Sequence, residues 1–181
     1  MIRTISIDTI IEPVQGHSLP FVPKGPVEIS QGYNGPFSHL AFSRGLCNVF
    51  YDYRFAIDFK LALGTEVIAS KAGVVFYVID YSKSLYRGTD LTEGIAASPN
   101  LVIVAHEDGL KSCYSHLDGN NIFVERGEVV EQGQPLARTG LSGWIGPVPH
   151  LHFQVYTGPR TFPVVFTNYG GPLEDRLLKK E

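Results

Sequence analysis

Short runs of alternating polar and apolar residues, separated by glycine-containing turns, dominate the chain from Val27 onwards. Alternation with a period of two is typical of β-strands that bury one face, whereas a helix needs apolar residues every three or four positions. Turn signals such as Asp108-Gly109 and Arg126-Gly127 lie between the runs. The pattern predicts an all-β domain with an antiparallel, β-sandwich-like sheet and a single helix in the tail 173–180. The predicted strands are 27–32, 53–60, 66–70, 73–81, 100–106, 111–117, 122–124, 135–139 and 150–156.

The chain divides into three parts by its prolines and by the spacing of its strands. Residues 1–29 form an N-terminal extension with four prolines, residues 30–160 form the main domain, and residues 161–181 form a tail. Two stretches, 40–52 and 82–99, are longer than ordinary hairpin connections. Long loops on a rigid sheet often carry function. These two insertions are therefore either surface decoration or the walls of a substrate groove.

Composition and charge exclude several classes of partner. The 181 residues carry a net charge of −3, so no basic field favours nucleic acid. No apolar run is long enough to span a bilayer, and the first residues lack the continuous apolar segment of a secretory signal. Cys47 and Cys113 are too few for a disulfide framework and lack the spacing of a cysteine zinc site. The 19 glycines and 12 prolines suit many short strands joined by tight turns.

Two histidines, His150 and His152, lie two positions apart in the predicted strand HLHFQVY. Period-two alternation places both imidazoles on one face of the sheet. Two adjacent imidazoles are costly as packing groups, because each has ring nitrogens that need partners. Histidine is the commonest metal ligand and also suits acid–base catalysis near neutral pH. The pair therefore indicates a metal with a catalytic neighbour.

Four segments in a fixed order resemble one family. They are GPFSH at 35–39, YRFAIDFKLALGTEVIASKAGVV at 53–75, VIVAHEDGLKSCYSHL at 102–117 and GEVVEQGQPLARTGLSGWIGPVPHLHF at 127–153. Together they resemble the LytM/lysostaphin-type zinc metallopeptidases, the M23 family of cell-wall endopeptidases, over about residues 30–157. The resemblance implies a zinc-dependent endopeptidase that hydrolyses peptide bonds in peptidoglycan stem peptides or cross-bridges through a metal-activated water. It also implies a location in the cell envelope or outside the cell.

The resemblance also implies a set of site residues. One zinc per chain would be held by His39, Asp58 and His152, which leaves the fourth position for water. His116 and His150 match the two catalytic histidines that do not bind the metal, with their roles not divided between them. Many members place the first ligand four residues before the aspartate, where this chain has Arg54, and arginine cannot bind zinc. The Ser-His of QGYNGPFSH resembles a longer-spaced variant and favours His39.

Three further residues are predicted to contact substrate or to line its groove. Arg54 shares a predicted strand face with Asp58 and would lie near the carboxylate or anchor a substrate carboxylate. Tyr114 would belong to the core or to the groove wall. Trp144, in the glycine-rich loop before the HLH strand, would form a lid or a platform, or pack across the base of the loop. His106 is predicted to be structural, with a supporting or substrate-binding role at the site as the alternative. His17 is predicted to be solvated.

Two other functions compete with the peptidase. The first is a non-catalytic LytM-like module that binds cell wall or activates a partner amidase. Such modules usually lose several of the histidine and aspartate positions, whereas this chain departs only at Arg54. The second is a small lipoyl- or biotinyl-carrier fold with Lys71 as the modified residue, suggested by VIASKAGVV. The carrier leaves the histidine and aspartate set unexplained.

Overall fold

The computed structural model describes residues 2–4, 11–33, 39, 41–44, 49–171 and 173. Within these ranges the chain is almost entirely β-structure, with one helix of six residues. The elements are β1 (Ile2–Thr4), β2 (Val14–His17), β3 (Ile29–Gln31), β4 (Ala41–Arg44), β5 (Val49–Asp52), β6 (Ile57–Lys60), β7 (Glu66–Ile68), β8 (Gly73–Ile79), β9 (Leu85–Tyr86), α1 (Leu91–Ala96), β10 (Leu101–Ala105), β11 (Lys111–Ser115), β12 (Leu117–Ile122), β13 (Val129–Val130), β14 (Pro135–Thr139), β15 (Gly143–Trp144), β16 (His150–Thr157), β17 (Arg160–Phe162) and β18 (Val164–Phe166). The predicted all-β class is confirmed.

Strand β16 organises the large sheet. One of its edges pairs antiparallel with β11, while its other edge pairs first with β6 and then with β17. Beyond β11 the sheet continues through β10 and β8 to β13, and β3 flanks β6. A second sheet has the order β12-β14-β7, and two small parallel pairs join β15 to β9 and β18 to β2. The eight residues of β16 therefore connect the part of the large sheet that contains β11 with the part that contains β6 and β17.

The core lies between the inner faces of the two larger sheets. Along β16 the side chains of Leu151, Phe153 and Val155 are fully buried in this core. Phe59 of β6 pairs with Leu151 and lies against Phe153, with ring centroids 6.4 Å apart. Successive residues of a strand point to opposite faces of the sheet. His152 alternates with these core residues along β16, so its side chain lies on the outer face. The core thus fixes which side chains can form a site.

The nine predicted strands all overlap observed strands, although several bounds differ. The largest difference is at 53–60, where the strand begins only at Ile57, because Ala56 N–H donates to Tyr53 O at 2.8 Å and closes a turn. The strand predicted at 122–124 is instead the end of β12. The insertion 40–52 holds the antiparallel pair β4 and β5. Except for Leu173, the helix predicted at 173–180 lies outside the described residues.

Helix α1 in the insertion 82–99 was not predicted. The side chain of Asp90 caps it by accepting a hydrogen bond from Glu93 N–H at 2.9 Å. This is the arrangement of an N-terminal capping motif. No helical segment in the described ranges has the length and apolar character needed to cross a membrane.

The described part of the N-terminal extension is integrated into the core. Leu19 and Phe21 are buried there, and β2 pairs with β18 from the far end of the chain. The prediction that His17 is solvated is wrong, because its side chain is fully buried and its Nδ1 lies 3.0 Å from Ser70 Oγ. Its Nε2 has no hydrogen-bond partner among the described residues.

Candidate active site

The register between β6 and β16 brings two of the predicted ligands together. His152 is the direct cross-strand partner of Asp58, and its Nδ1 lies 2.9 Å from Asp58 Oδ1. Both residues lie on the outer face because their neighbours Ile57, Phe59, Leu151 and Phe153 fill the core. Two strands separated by 94 positions thus form the floor of the site.

His39 completes a group of three candidate ligands. Its Nδ1–H donates to Ala56 O at 3.1 Å, and its Nε2 lies 3.5 Å from Asp58 Oδ1. Its ring lies 5.0 Å from the His152 ring, centroid to centroid. One donor atom from each of His39, Asp58 and His152 lies within 4.8 Å of the others. This separation suits a single ion held between them.

The hydrogen bonds of His39 and His152 outside the cluster show that this donor set fits a metal. His39 uses Nδ1 on a backbone carbonyl, which leaves the lone pair of Nε2 directed at Asp58. His152 donates Nε2–H to Gln154 Oε1 at 3.1 Å, which orients Nδ1 towards the same carboxylate. Hydrogen bonds of this kind fix the tautomer of metal-binding histidines. Two imidazole nitrogens and one carboxylate oxygen match the donor types that a three-ligand catalytic zinc site uses.

The electrostatics of the cluster favour an ionised Asp58. Burial opposes its ionisation, but His150, His39 and the hydrogen bond from His152 together hold the pKa of Asp58 well below its usual range. Burial also opposes protonation of His152, yet the hydrogen bond and charge of Asp58 outweigh it and raise the pKa of His152. A cation bound beside His152 Nδ1 would therefore compete with a proton for the same position.

His116 approaches the cluster from the turn between β11 and β12. It is the only non-glycine residue with a positive φ in the described part of the chain, at 65°. Its Nδ1–H donates to Ser142 O at 2.8 Å, so its Nε2 keeps a free lone pair. Burial, together with the neighbouring His150 and His152, lowers the pKa of His116 to about 3. Its imidazole is therefore neutral at neutral pH.

His150 lies between His116 and the carboxylate. The rings of His150 and His116 are 4.6 Å apart, and His150 Nε2 lies 3.4 Å from Asp58 Oδ2. Its Nδ1–H donates to Val148 O at 2.9 Å. His150 thus faces the second carboxylate oxygen, whereas His39 and His152 both face Oδ1. The structure therefore brings together all five residues that the sequence placed at metal and catalytic positions.

Arg54 does not share a strand face with Asp58, contrary to the sequence-based prediction. It lies in the turn before β6, and its Nε and a terminal nitrogen donate to the two oxygens of Asp52 at 2.9 and 3.0 Å. The buried Asp52 is therefore the carboxylate that this cation neutralises. A substrate-binding role for Arg54 stays a prediction.

Tyr114 belongs to the core and not to a substrate surface. Its side chain is fully buried, and its hydroxyl oxygen lies 2.9 Å from Ser70 Oγ and 3.0 Å from Ser112 Oγ. Residues on the inner face of β11 cannot contact a substrate on the outer face. His106 is also buried beneath the sheet, with Nδ1–H donating to Ala72 O and Nε2 lying 3.0 Å from Ser112 Oγ.

Trp144 packs the insertion 82–99 against the loop before β16. Its Nε1–H donates to Gly88 O at 3.0 Å, and its ring covers Gly94 of α1 so closely that a Cβ there would lie 2.3 Å from the ring. The Tyr86 ring lies 6.2 Å away. The described contacts thus place Trp144 between two loops, and its predicted contact with substrate stays a prediction.

Sequence reasoning missed Gln154 and Ser142, which orient His152 and His116. Gln154 lies two positions after His152 in the same strand, so period-two alternation places it beside the metal group. That signal was available in the sequence. The carbonyl of Ser142 is a backbone group on a loop, and no residue pattern indicates where it points.

The fold and the histidine–aspartate cluster are those of a LytM-type peptidase domain. The chain belongs to Peptidase family M23, whose family model matches residues 53–163. The matched range includes four of the five clustered residues and begins after His39.

Relatives and solved structures agree with this family. The chain is 29% identical over 134 residues to the peptidoglycan DD-endopeptidase ShyB of Vibrio cholerae. The aligned residues cover 74% of this chain and 26% of that protein. It is 28% identical over 103 residues to the cell division protein DipM of Caulobacter vibrioides, covering 57% of this chain and 14% of that protein. A zinc-containing peptidase from Vibrio cholerae superimposes with a TM-score of 0.54 at 26% identity, over 80% of this chain and 38% of that chain. The chain thus spans about a quarter or less of the curated relatives it matches.

Proposed function

We propose that this protein is a zinc-dependent endopeptidase that cleaves peptide bonds in peptidoglycan stem peptides or cross-bridges. One observation carries the proposal: the donor atoms of His39, Asp58 and His152 lie within 4.8 Å of one another, with His116 and His150 directly beside them. Non-catalytic family modules would not need this complete set. The peptidoglycan DD-endopeptidase activity named for the ShyB relative supports the choice of substrate.

His39, Asp58 and His152 would hold the metal. Zinc bound there supplies a Lewis acid that polarises the scissile carbonyl and makes water more acidic. The Asp58 carboxylate reduces the net charge of the metal centre. Its low pKa keeps it ionised at neutral pH. Gln154 and the Ala56 carbonyl keep the two imidazoles in the tautomers that binding requires.

His116 and His150 would move the protons of the reaction. Each donates Nδ1–H to a backbone carbonyl, so each directs Nε2 towards the cluster. One imidazole accepts the proton of the attacking water, while the other stabilises the developing negative charge or protonates the leaving amine.

The metal assignment is tested by elemental analysis of the purified full chain. We expect about one zinc per chain in the wild type, and loss of zinc in Asp58→Ala and His39→Ala. His106→Ala is the matched control, because it removes a buried imidazole outside the cluster and should keep the metal. Full zinc retention in Asp58→Ala would contradict the assignment.

The substrate assignment is tested separately. Zinc-loaded protein is incubated with muropeptides from walls of different cross-bridge chemistry, and the products are read by mass spectrometry. We expect cleavage at a peptide bond of at least one muropeptide class and none with Asp58→Ala. Zinc-loaded wild-type protein that cleaves no muropeptide would contradict the substrate while leaving the metal site intact.

A further inference from the structure

His116 has a backbone conformation that its surroundings must enforce. It lies at the junction of β11 and β12 with φ of 65°, in the left-handed region that side chains with a Cβ rarely adopt. Such conformations persist only where neighbouring groups fix them, and they cluster at functional sites. The groups that fix this turn therefore also determine where the His116 imidazole points.

Two backbone hydrogen bonds and one hydrogen bond from the imidazole surround the turn. Gly140 N–H donates to His116 O at 2.7 Å, and Leu117 N–H donates to Asn100 O at 3.1 Å. Gly140 lies so close to the turn that a Cβ would be 2.5 Å from Asp118 N. The third contact is the hydrogen bond from His116 Nδ1 to Ser142 O. The loop that begins at Gly140 is therefore pressed against the turn and orients the imidazole.

The buried Ser142 side chain holds this loop in place, and the buried Asn100 side chain supports the turn itself. Ser142 Oγ donates to Leu117 O at 2.8 Å and accepts from Asn100 N–H at 2.9 Å. Asn100 Nδ2 also donates to Leu117 O, at 3.4 Å. Asn100 is 4% exposed and Ser142 is 8% exposed, so water does not compete effectively for these bonds. The hydroxyl of Ser142 thus fixes the position of its own backbone carbonyl, which accepts the hydrogen bond from His116 Nδ1–H.

We propose that Ser142 and Asn100 are positioning residues for His116. They hold its imidazole in the Nδ1–H tautomer, with Nε2 directed at the bond to be cleaved. The inference rests on the proposed function for its consequence in catalysis, but the tautomer itself is a property of the folded chain. Neither side chain contacts the candidate ligands among the described hydrogen bonds, so metal binding does not depend on them.

Asn100 also connects this arrangement to the insertion 82–99. Its Oδ1 accepts from Ser82 N–H at 2.7 Å, and its Nδ2 donates to Ser82 O at 3.3 Å. One asparagine therefore holds the start of the insertion and the turn that carries His116.

The test compares Ser142→Ala with Ser112→Ala in the zinc-loaded full chain. Both variants remove a buried serine hydroxyl, but the Ser112 hydroxyl forms its hydrogen bonds with His106 and Tyr114, away from the His116 turn. We expect Ser142→Ala to lower kcat by about 10- to 100-fold with little change in KM, because small misplacements of a catalytic group have effects of this size. Zinc content should stay at one per chain in both variants. Asn100→Asp, which removes the Nδ2–H donors, should act in the same direction.

Long-range proton–nitrogen NMR spectra of the imidazoles give a readout that does not depend on activity. Wild-type His116 and the Ser112→Ala variant should show a single Nδ1–H tautomer, whereas Ser142→Ala should show exchange between tautomers. An unchanged His116 spectrum in Ser142→Ala, a loss of kcat no larger than in Ser112→Ala, or a loss of zinc would each overturn the inference. If the wild type cleaves no muropeptide, the proposed function fails, and the NMR comparison still decides the positioning role.

Discussion

Replacement of His17 by leucine should make the protein less sensitive to acid. His17 is fully buried, with Nδ1 beside Ser70 Oγ and no partner for Nε2 among the described residues. Burial, followed by the charges of His106 and Lys71, lowers the pKa of His17 from 6.5 to about 3, and Asp108 opposes this only weakly. The folded protein therefore holds this histidine neutral over a pH range in which the unfolded chain protonates it.

The size of the effect follows from the two pKa values. Above pH 6.5 neither state binds the proton, so the stability from the neutral His17 is complete. As the pH falls below 6.5, the unfolded state gains the proton first, and the free energy of unfolding decreases until the pH reaches about 3. At pH 4.5 the difference from the unfolded pKa is two pH units, which corresponds to about 3 kcal/mol.

Urea unfolding at several pH values between 8 and 4.5 measures this difference. The wild type should lose about 3 kcal/mol more than His17→Leu over this range, because the contributions of distant groups are common to both proteins and cancel. Ser70→Ala is the matched control. It removes the partner of Nδ1 and should lower stability by about 1 kcal/mol at every pH while keeping the acid sensitivity of the wild type. Equal pH dependence of the wild type and His17→Leu would refute the reasoning.

Four further substitutions test the site and its surroundings. His116→Ala and His150→Ala should each keep zinc but lower the rate of hydrolysis by about 10²- to 10⁴-fold, because both histidines are expected to transfer protons. Loss of zinc in either variant would show that the replaced histidine is a metal ligand. Arg54→Ala should keep zinc but lower the free energy of unfolding by about 3 kcal/mol, because it removes the cation paired with the buried Asp52 carboxylate. Loss of zinc in this variant would place Arg54 at the metal. Trp144→Ala should speed amide hydrogen exchange in the insertion 82–99 and leave the core strands unchanged, and equal protection would contradict its role in packing.

The strands and the His150/His152 pair were predictable because their signals are local, whereas His39, Asp58 and His116 were assigned through the resemblance to a family. Alternation along HLHFQVY places His150 and His152 on one face, and the opposite face is apolar enough to be the core. The helix at Leu91–Ala96 also had a local signal, since Asp90 and Glu93 have the spacing of a capping pair. Its six residues are too short to show helical periodicity, so the pattern of apolar positions did not find it.

The remaining features depend on contacts between distant parts of the chain. His17 is buried because β2 pairs with β18, which follows it by nearly 150 residues, and no nearby residue indicates that pairing. Arg54 left its predicted strand because Ala56 N–H closes a turn with Tyr53 O, although the sequence there has neither glycine nor proline. Tyr114 was placed correctly on a strand, but only the packing of the second sheet decides that its face is the inner one.

The pairing of His152 with Asp58 affects where the chain can change in length during evolution. A residue gained or lost in the insertion 82–99 alters a loop whose base is already anchored, so the site can survive it. A residue gained within β6 would turn Asp58 into the core and bring Ile57 or Phe59 to the outer face, since one step in register exchanges the two faces. Length variation among homologous domains should therefore concentrate in the loops around the site, while the strands that carry the ligands keep a constant length.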